Sequence, residues 1–150
     1  MRNSLLIPNK YKAIGWVIFV AFGILGSSCV IAEFRIPGFQ LYYPSNGGAM
    51  GNDYNLTNEF AMLGITLGLL MIVFAKERIE DEYISILRLK SLQWAVLINY
   101  IILIIINFSF YGLGYIFIIT YNIWTLLLVF ILKFYWNLYQ LKREGVKNEK

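Results

Sequence analysis

Apolar positions along this chain fall into long blocks separated by short polar ones. Ala13 to Ala32 carries no charged residue over twenty positions, about 30 Å as a helix, which is the thickness of a bilayer's hydrocarbon core. Phe60 to Ala75 is a second uncharged run between Glu59 and Lys76, and it predicts a span over 56–75 with those two charges at headgroup depth. Ser91 to Leu132 then has no charge over forty-two positions. As one helix it would extend about 63 Å, twice a bilayer core, so it must fold back on itself. Gly112 and Gly114, in Tyr-Gly-Leu-Gly, supply the break and divide the run into spans over 92–110 and 115–136. With 13–32 as the first span, the pattern predicts one all-α transmembrane domain: an integral membrane four-helix bundle.

The polar connections have contrasting characters. Residues 33–55 contain Pro37, Gly38, Pro44, Gly47, Gly48 and Gly51, the composition of a loop, with Phe39 to Tyr43 as a short strand or an interfacial segment. Asn55 or Thr57 is expected to cap the following helix, with Glu59 in its first turn favoured by the helix dipole. Asn55-Leu56-Thr57 also fits the glycosylation sequon, a pattern short enough to arise often by chance.

The connection 76–91 reads KERIEDEYISILRLKS and mixes Lys76, Arg78, Arg88 and Lys90 with Glu77, Glu80, Asp81 and Glu82. No Gly or Pro lies between Gly68 and Gly112, so helix is expected to run past Ala75 and turn near Ile79 to Asp81. Asp81 or Ser85 would cap a new helix continuing into the third span. Lys76 with Glu80 and Arg78 with Glu82 stand at i,i+4 spacing, worth a few tenths of a kcal/mol each. Ile79, Tyr83, Ile86 and Leu87 would share one face. Glu80, Asp81 and Glu82 invite a metal-site reading. Successive helical residues point about 100° apart, however, so a solvated acidic patch is the better reading.

Basic residues set the expected orientation. Four spans place Arg2, Lys10 and Lys12 on one side with Lys76, Arg78, Arg88, Lys90, Lys133, Lys142, Arg143, Lys147 and Lys150, and leave Arg35 alone opposite. The positive-inside rule makes the crowded side cytoplasmic, giving N-in and C-in in the cell's inner membrane. The amino-terminal arm with Leu5-Leu6-Ile7-Pro8 would rest on the membrane surface or fray. Cleavage of the first span as a signal peptide, after Ala32 or at Ser27-Ser28-Cys29, is the less favoured alternative because the run is long enough to span.

Composition agrees with a lipid solvent: 59% hydrophobic and 15% charged residues, against about 45–50% and about 25% in soluble domains. The net charge of +4 does not indicate nucleic acid, because the basic residues flank apolar runs and form no stripe. With no histidine and only Cys29, the chain holds no disulfide framework, Cys/His zinc site, CxxC pair or His-ligated haem. No cofactor is expected.

Close helix packing is expected at small residues. Gly23 and Ser27 form part of a small stripe with Gly26 and Ser28 in the first span, and Gly64-Ile-Thr-Leu-Gly68 is a GxxxG in the second. Asn99, the polar residue nearest mid-depth, would hydrogen-bond across the bundle.

The run Lys76-Glu77, Glu80-Asp81-Glu82, Leu87-Arg88, Ser91-Leu92 and Trp94-Ala95, followed by Asn99-Tyr100, Tyr111-Gly112-Leu113 and Tyr121-Asn122, resembles a family of small four-span bacterial membrane proteins without an assigned activity. The resemblance covers the second half well, the first span loosely and the outer loop hardly at all. It implies the same topology and no catalytic residues.

The function expected is that of a non-catalytic accessory or regulatory subunit in the lipid bilayer. It would dock a membrane or cytoplasmic protein through Lys76, Glu77, Glu80, Asp81, Glu82, Arg88 and Trp94. A small transporter or channel is the alternative, and it is weakened because no charge sits mid-span. A carboxylate enzyme using Glu33, Asp53 and Glu59 is a third reading that nothing in their spacing requires.

Overall fold

The structure, a computed structural model, describes residues 6–41, 54–78 and 81–148. The helices are α1 (Lys10–Ile31), α2 (Thr57–Phe74), α3 (Glu82–Ser109) and α4 (Leu113–Asn148). All four are long and apolar enough to cross a membrane. The described residues are all-α apart from an isolated bridge between Ile7 and Ala75 and a short two-stranded pairing in the loop between α1 and α2. There β1 (Gln40–Leu41) and β2 (Tyr54–Asn55) run antiparallel, with Gln40 opposite Asn55 and Leu41 opposite Tyr54. Glu80, and Ile79 of the predicted shared face, lie outside the described residues, as do Pro44 and the glycines beyond it in the loop.

α1 and α2 form one antiparallel hairpin and α3 and α4 another, joined mainly where α2 meets α4. The core lies at that junction. It comprises Ile65, Leu69 and Ile72 of α2, Ile84 and Ala95 of α3, and Phe130, Ile131, Phe134 and Leu138 of α4. Phe130 and Phe134 stack with their ring centroids 5.8 Å apart. Elsewhere large apolar side chains face outward, including Val17, Ile24, Ile104, Phe108 and Leu132. In water such a surface would drive association; in lipid it is the ordinary exterior.

Two helix boundaries have clear local causes. Gly112 sits at φ 70, a left-handed conformation that carries no steric cost without a Cβ, and it separates α3 from α4 where the sequence predicted the break. At the start of α2, Asn55 Oδ1 accepts the Thr57 N–H at 3.0 Å and also the Thr57 hydroxyl. Thr57 Oγ1 in turn accepts the Ile36 N–H at 3.0 Å, and Asn55 Nδ2 donates to Ile36 O at 3.3 Å, which ties the loop to the helix start. Asn55 thus serves the α2 start as an Asx turn rather than from the N-cap position, which Leu56 occupies.

The α1–α2 contact corrects part of the expectation about small residues. Gly64 and Gly68 do allow close approach: a Cβ on Gly68 would lie 2.7 Å from Phe19 N, and one on Gly64 would fall within the Phe22 ring. On α1, however, the contact stripe is Gly15, Phe19, Phe22 and Gly26. A Cβ on Gly15 would meet Met71 Cβ at 3.0 Å, and one on Gly26 would meet Ile65 Cδ1 at 3.4 Å. Gly23 has nothing within 4 Å of its Cβ position, and exposed Ser27 bonds back to Ile24 O of its own helix. The physical reason is shape. The GxxxG groove of α2 receives the large rings of Phe19 and Phe22, so the small residues of α1 are used only at Gly15 and Gly26, one turn beyond each ring.

Candidate functional site

The charged connection 76–91 becomes a knot at one end of the bundle. Helix does not continue past Ala75 as expected. α2 ends at Phe74, and Ala75 turns extended at φ -72 and ψ 137. The amino-terminal arm accounts for the change: Ile7 N donates to Phe74 O and Lys76 N donates to Ile7 O, both at 2.9 Å, forming a parallel bridge between Ile7 and Ala75. Asn9 Nδ2 donates to Lys76 O at 2.6 Å. The arm therefore neither frays nor lies free at Ile7 to Asn9.

The end of an α-helix leaves carbonyls without intrahelical partners, and the partial negative charge there favours a cation. Arg88 meets both needs. From the second turn of α3 its Nη1 donates to Val73 O at 2.7 Å and its Nη2 to Ala75 O at 3.2 Å, with the guanidinium 4.8 Å over the Phe134 ring. With the arm, this supplies donors to four successive carbonyls, Val73 to Lys76.

Lys12 and Glu77 make the salt bridge of this end, 2.6 Å long, between side chains only 18% and 12% exposed. Lys12 Nζ also stands 4.7 Å over the Tyr135 ring, so it touches α4 as well. Arg78 and Glu82 do not stand as a helical i,i+4 pair, because Arg78 is not in helix, and the expected Lys76–Glu80 pair lies outside the described residues. Asp81 occupies the N-cap position of α3 without a side-chain capping bond. Asp81, Glu82 and Tyr83 are exposed, Ile86 is exposed, and Leu87 packs against the core. Trp94 is 53% exposed on α3 with Lys133 Nζ 5.6 Å from its ring.

Between the knot, the start of α1 and the end of α4 lies a cavity of ≈ 760 Å³. Its lining combines the charged Lys10, Lys12, Arg78, Lys142, Glu77 and Asp81 with the apolar Ala13, Trp16, Ile84, Leu138 and Leu141. This arrangement suits binding and holding. Among the described residues no cluster of Cys, Asp and Glu is placed to grip a metal ion.

The intramembrane polar residues are arranged differently from the expectation. Among the described residues Asn99 makes no cross-bundle bond and its Oδ1 is buried without a partner, as is Nδ2 of Asn122. The helices are instead bridged by Trp124 Nε1 donating to Thr66 Oγ1 at 3.0 Å and by Asn137 Nδ2 donating to Ser91 Oγ at 3.2 Å. Ser91 is fully buried, and its hydroxyl donates to Leu87 O at 2.8 Å. Neither bridge stands out in the sequence, since both use hydroxyls beside abundant aromatic and amide residues. The Lys12–Glu77 pairing has a usable signal: once Phe19 is set against Gly68 in an antiparallel hairpin, Lys12 falls near the end of α2.

Comparison with known protein families, with curated proteins and with solved structures finds no match to this chain.

Proposed function

We propose that this protein is a non-catalytic, multi-pass membrane subunit, with both termini on the cytoplasmic side, that docks a protein partner through the connection between α2 and α3. The observation that supports this best is how the charged side chains are divided at that end. Glu77 and Arg88 turn inward and hold helices together, while Arg78, Asp81, Glu82 and Lys90 face outward beside exposed Tyr83 and Trp94. The docking surface is therefore narrower than the sequence suggested. Mixed charge around exposed aromatics suits a specific protein contact, with the charges setting orientation and the rings supplying contact area.

The in/in orientation rests on the same end: Lys10, Lys12, Lys76, Arg78 and Arg88 gather there, and Arg35 belongs to the loop at the opposite end. Reporter fusions after Tyr43 and after Arg88 should report opposite compartments; the same compartment for both would overturn the topology.

Purification of the full chain in mild detergent should recover a stoichiometric protein. Charge reversal by Asp81→Lys with Glu82→Lys should release it, with a loss of only about 0.3–1 kcal/mol per residue in the chain's own stability, because both acidic residues stand at the amino-terminal end of α3. Recovery as a lone monomer, or a partner retained through both substitutions, refutes the docking reading.

A further inference from the structure

The cavity at the charged end has a lining graded from polar to apolar along two separate helices. On α1 it passes from Lys10 and Lys12 to Ala13 and Trp16; on α4 it passes from Lys142 to Leu141 and Leu138. Both gradients run in the same direction, from the connection between α2 and α3 toward the uncharged interior of the spans. We infer that this cavity binds an anionic phospholipid, its phosphate among Lys10, Arg78 and Lys142 and its acyl chains against Trp16, Leu138 and Leu141.

Charge, shape and position each favour that occupant. Lys12 is already matched by Glu77 at 2.6 Å. Lys10, Arg78 and Lys142 take part in no ion pair among the described residues, and they outnumber the one other carboxylate of the lining, Asp81. The surplus is positive, which selects a phosphate without choline or another compensating cation. A volume of ≈ 760 Å³ falls in the ordinary range of small-molecule sites, roughly 300–1,000 Å³. The lining spans the end of an apolar helix, where headgroups meet hydrocarbon and where an indole such as Trp16 is favoured. A second groove of ≈ 310 Å³, lined by Gly23 and Gly26 of α1, Ala61 and Met62 of α2, and Tyr121 and Trp124 of α4, lies toward the other end of the bundle. It is largely apolar and shares no lining residue with the first cavity. A free phosphate would use the cations but leave both apolar walls without a role.

The lipid site and the docking surface share Arg78 and Asp81, but Lys10 and Lys142 belong to the recess alone, so the Lys142→Gln variant tests the lipid without touching the docking face. The test uses the full chain in nanodiscs containing phosphatidylglycerol and phosphatidylcholine, with native mass spectrometry counting lipids retained per chain. One retained phosphatidylglycerol, in preference to phosphatidylcholine, is the expected result. Lys10→Gln with Arg78→Gln and Lys142→Gln should weaken its retention at least about tenfold, and Lys142→Gln alone, on the exposed surface of α4, about fivefold. Arg35→Gln at the opposite end should change nothing. An unchanged melting temperature in phosphatidylcholine alone separates loss of binding from loss of fold. Retention of phosphatidylglycerol by the folded triple variant overturns the site, as does equal retention of phosphatidylcholine. Displacement by millimolar inorganic phosphate would mark a soluble-anion site and refute the lipid.

Discussion

Lys12 Nζ lies 2.6 Å from Glu77 Oε1, and through this pair the first turn of α1 is fastened to the third residue beyond the end of α2. The two are 65 positions apart in sequence, so the pair closes the whole α1–α2 hairpin rather than a local turn. Exposed ion pairs contribute about 0.2–1 kcal/mol, because water screens them and the side chains lose entropy. Here both side chains are largely covered and Lys12 is also held over Tyr135. A double-mutant cycle of Lys12→Ala and Glu77→Ala, read by thermal unfolding in detergent, should give a coupling of about 1–2 kcal/mol. A coupling near zero would show that the Ile7 backbone bridge and the Asn9 hydrogen bond hold the arm without help from the ion pair.

Replacing the glycines of α1 and α2 should separate those in contact from those that only look alike in sequence. Gly68→Val places a Cβ 2.7 Å from backbone of α1, where nothing can swing aside, and should cost at least the roughly 1–3 kcal/mol typical of overpacking. Gly64→Ala meets the Phe22 ring, whose rotation can relieve part of the clash, and should cost less. Gly23→Ala meets nothing and should leave stability unchanged or slightly raised, since alanine favours helix. Melting temperatures of the three variants should rank in that order.

Arg88 is predicted to be intolerant of even conservative change. Its planar fork reaches Val73 O and Ala75 O together and stacks on Phe134, a geometry that a lysine ammonium cannot reproduce. Arg88→Lys should destabilise the chain by about 1–2 kcal/mol and Arg88→Ala by about 2–4 kcal/mol, given about 1.5–3 kcal/mol for a hydrogen bond to a charged group. Hydrogen exchange should accelerate at the end of α2 in both variants. If only residues of α3 are affected, Arg88 is not a cap for α2.

The polar groups among the spans give a prediction of opposite sign. Trp124→Phe removes the donor to Thr66 and should lower stability by about 0.6 kcal/mol, the usual worth of such bonds between membrane helices. Asn122 is 8% exposed and its Nδ2 has no partner among the described residues, so Asn122→Leu should leave stability equal or higher. A loss on Asn122→Leu comparable to that of Trp124→Phe would reveal a partner for Asn122 in the working protein.

Several features are legible in the amino-acid order alone because they depend on local chemistry and length. An uncharged run of twenty positions must be helical in lipid, since every backbone amide needs a partner inside the segment. A run of forty-two must fold back, and Gly112 is where a left-handed backbone carries no steric cost. The GxxxG of α2 is readable for the same reason: absent side chains permit approach whatever the partner.

What approaches is a different kind of fact. Gly23 and Ser27 are small, as Gly15 and Gly26 are, and only the register that puts Phe19 and Phe22 into the α2 groove distinguishes them. The end of α2 at Phe74 likewise has no cause in its own neighbourhood, which holds neither Gly nor Pro. It is imposed by Ile7 and Asn9 from a distant part of the chain and by Arg88 from the next helix. The number of helices and their lipid solvent follow from the order of residues, because burial of backbone and length of apolar run are properties of each segment alone. Which charges close the bundle and which line a cavity is settled only when the helices pack, because those outcomes depend on pairings between segments that periodicity along one helix does not encode.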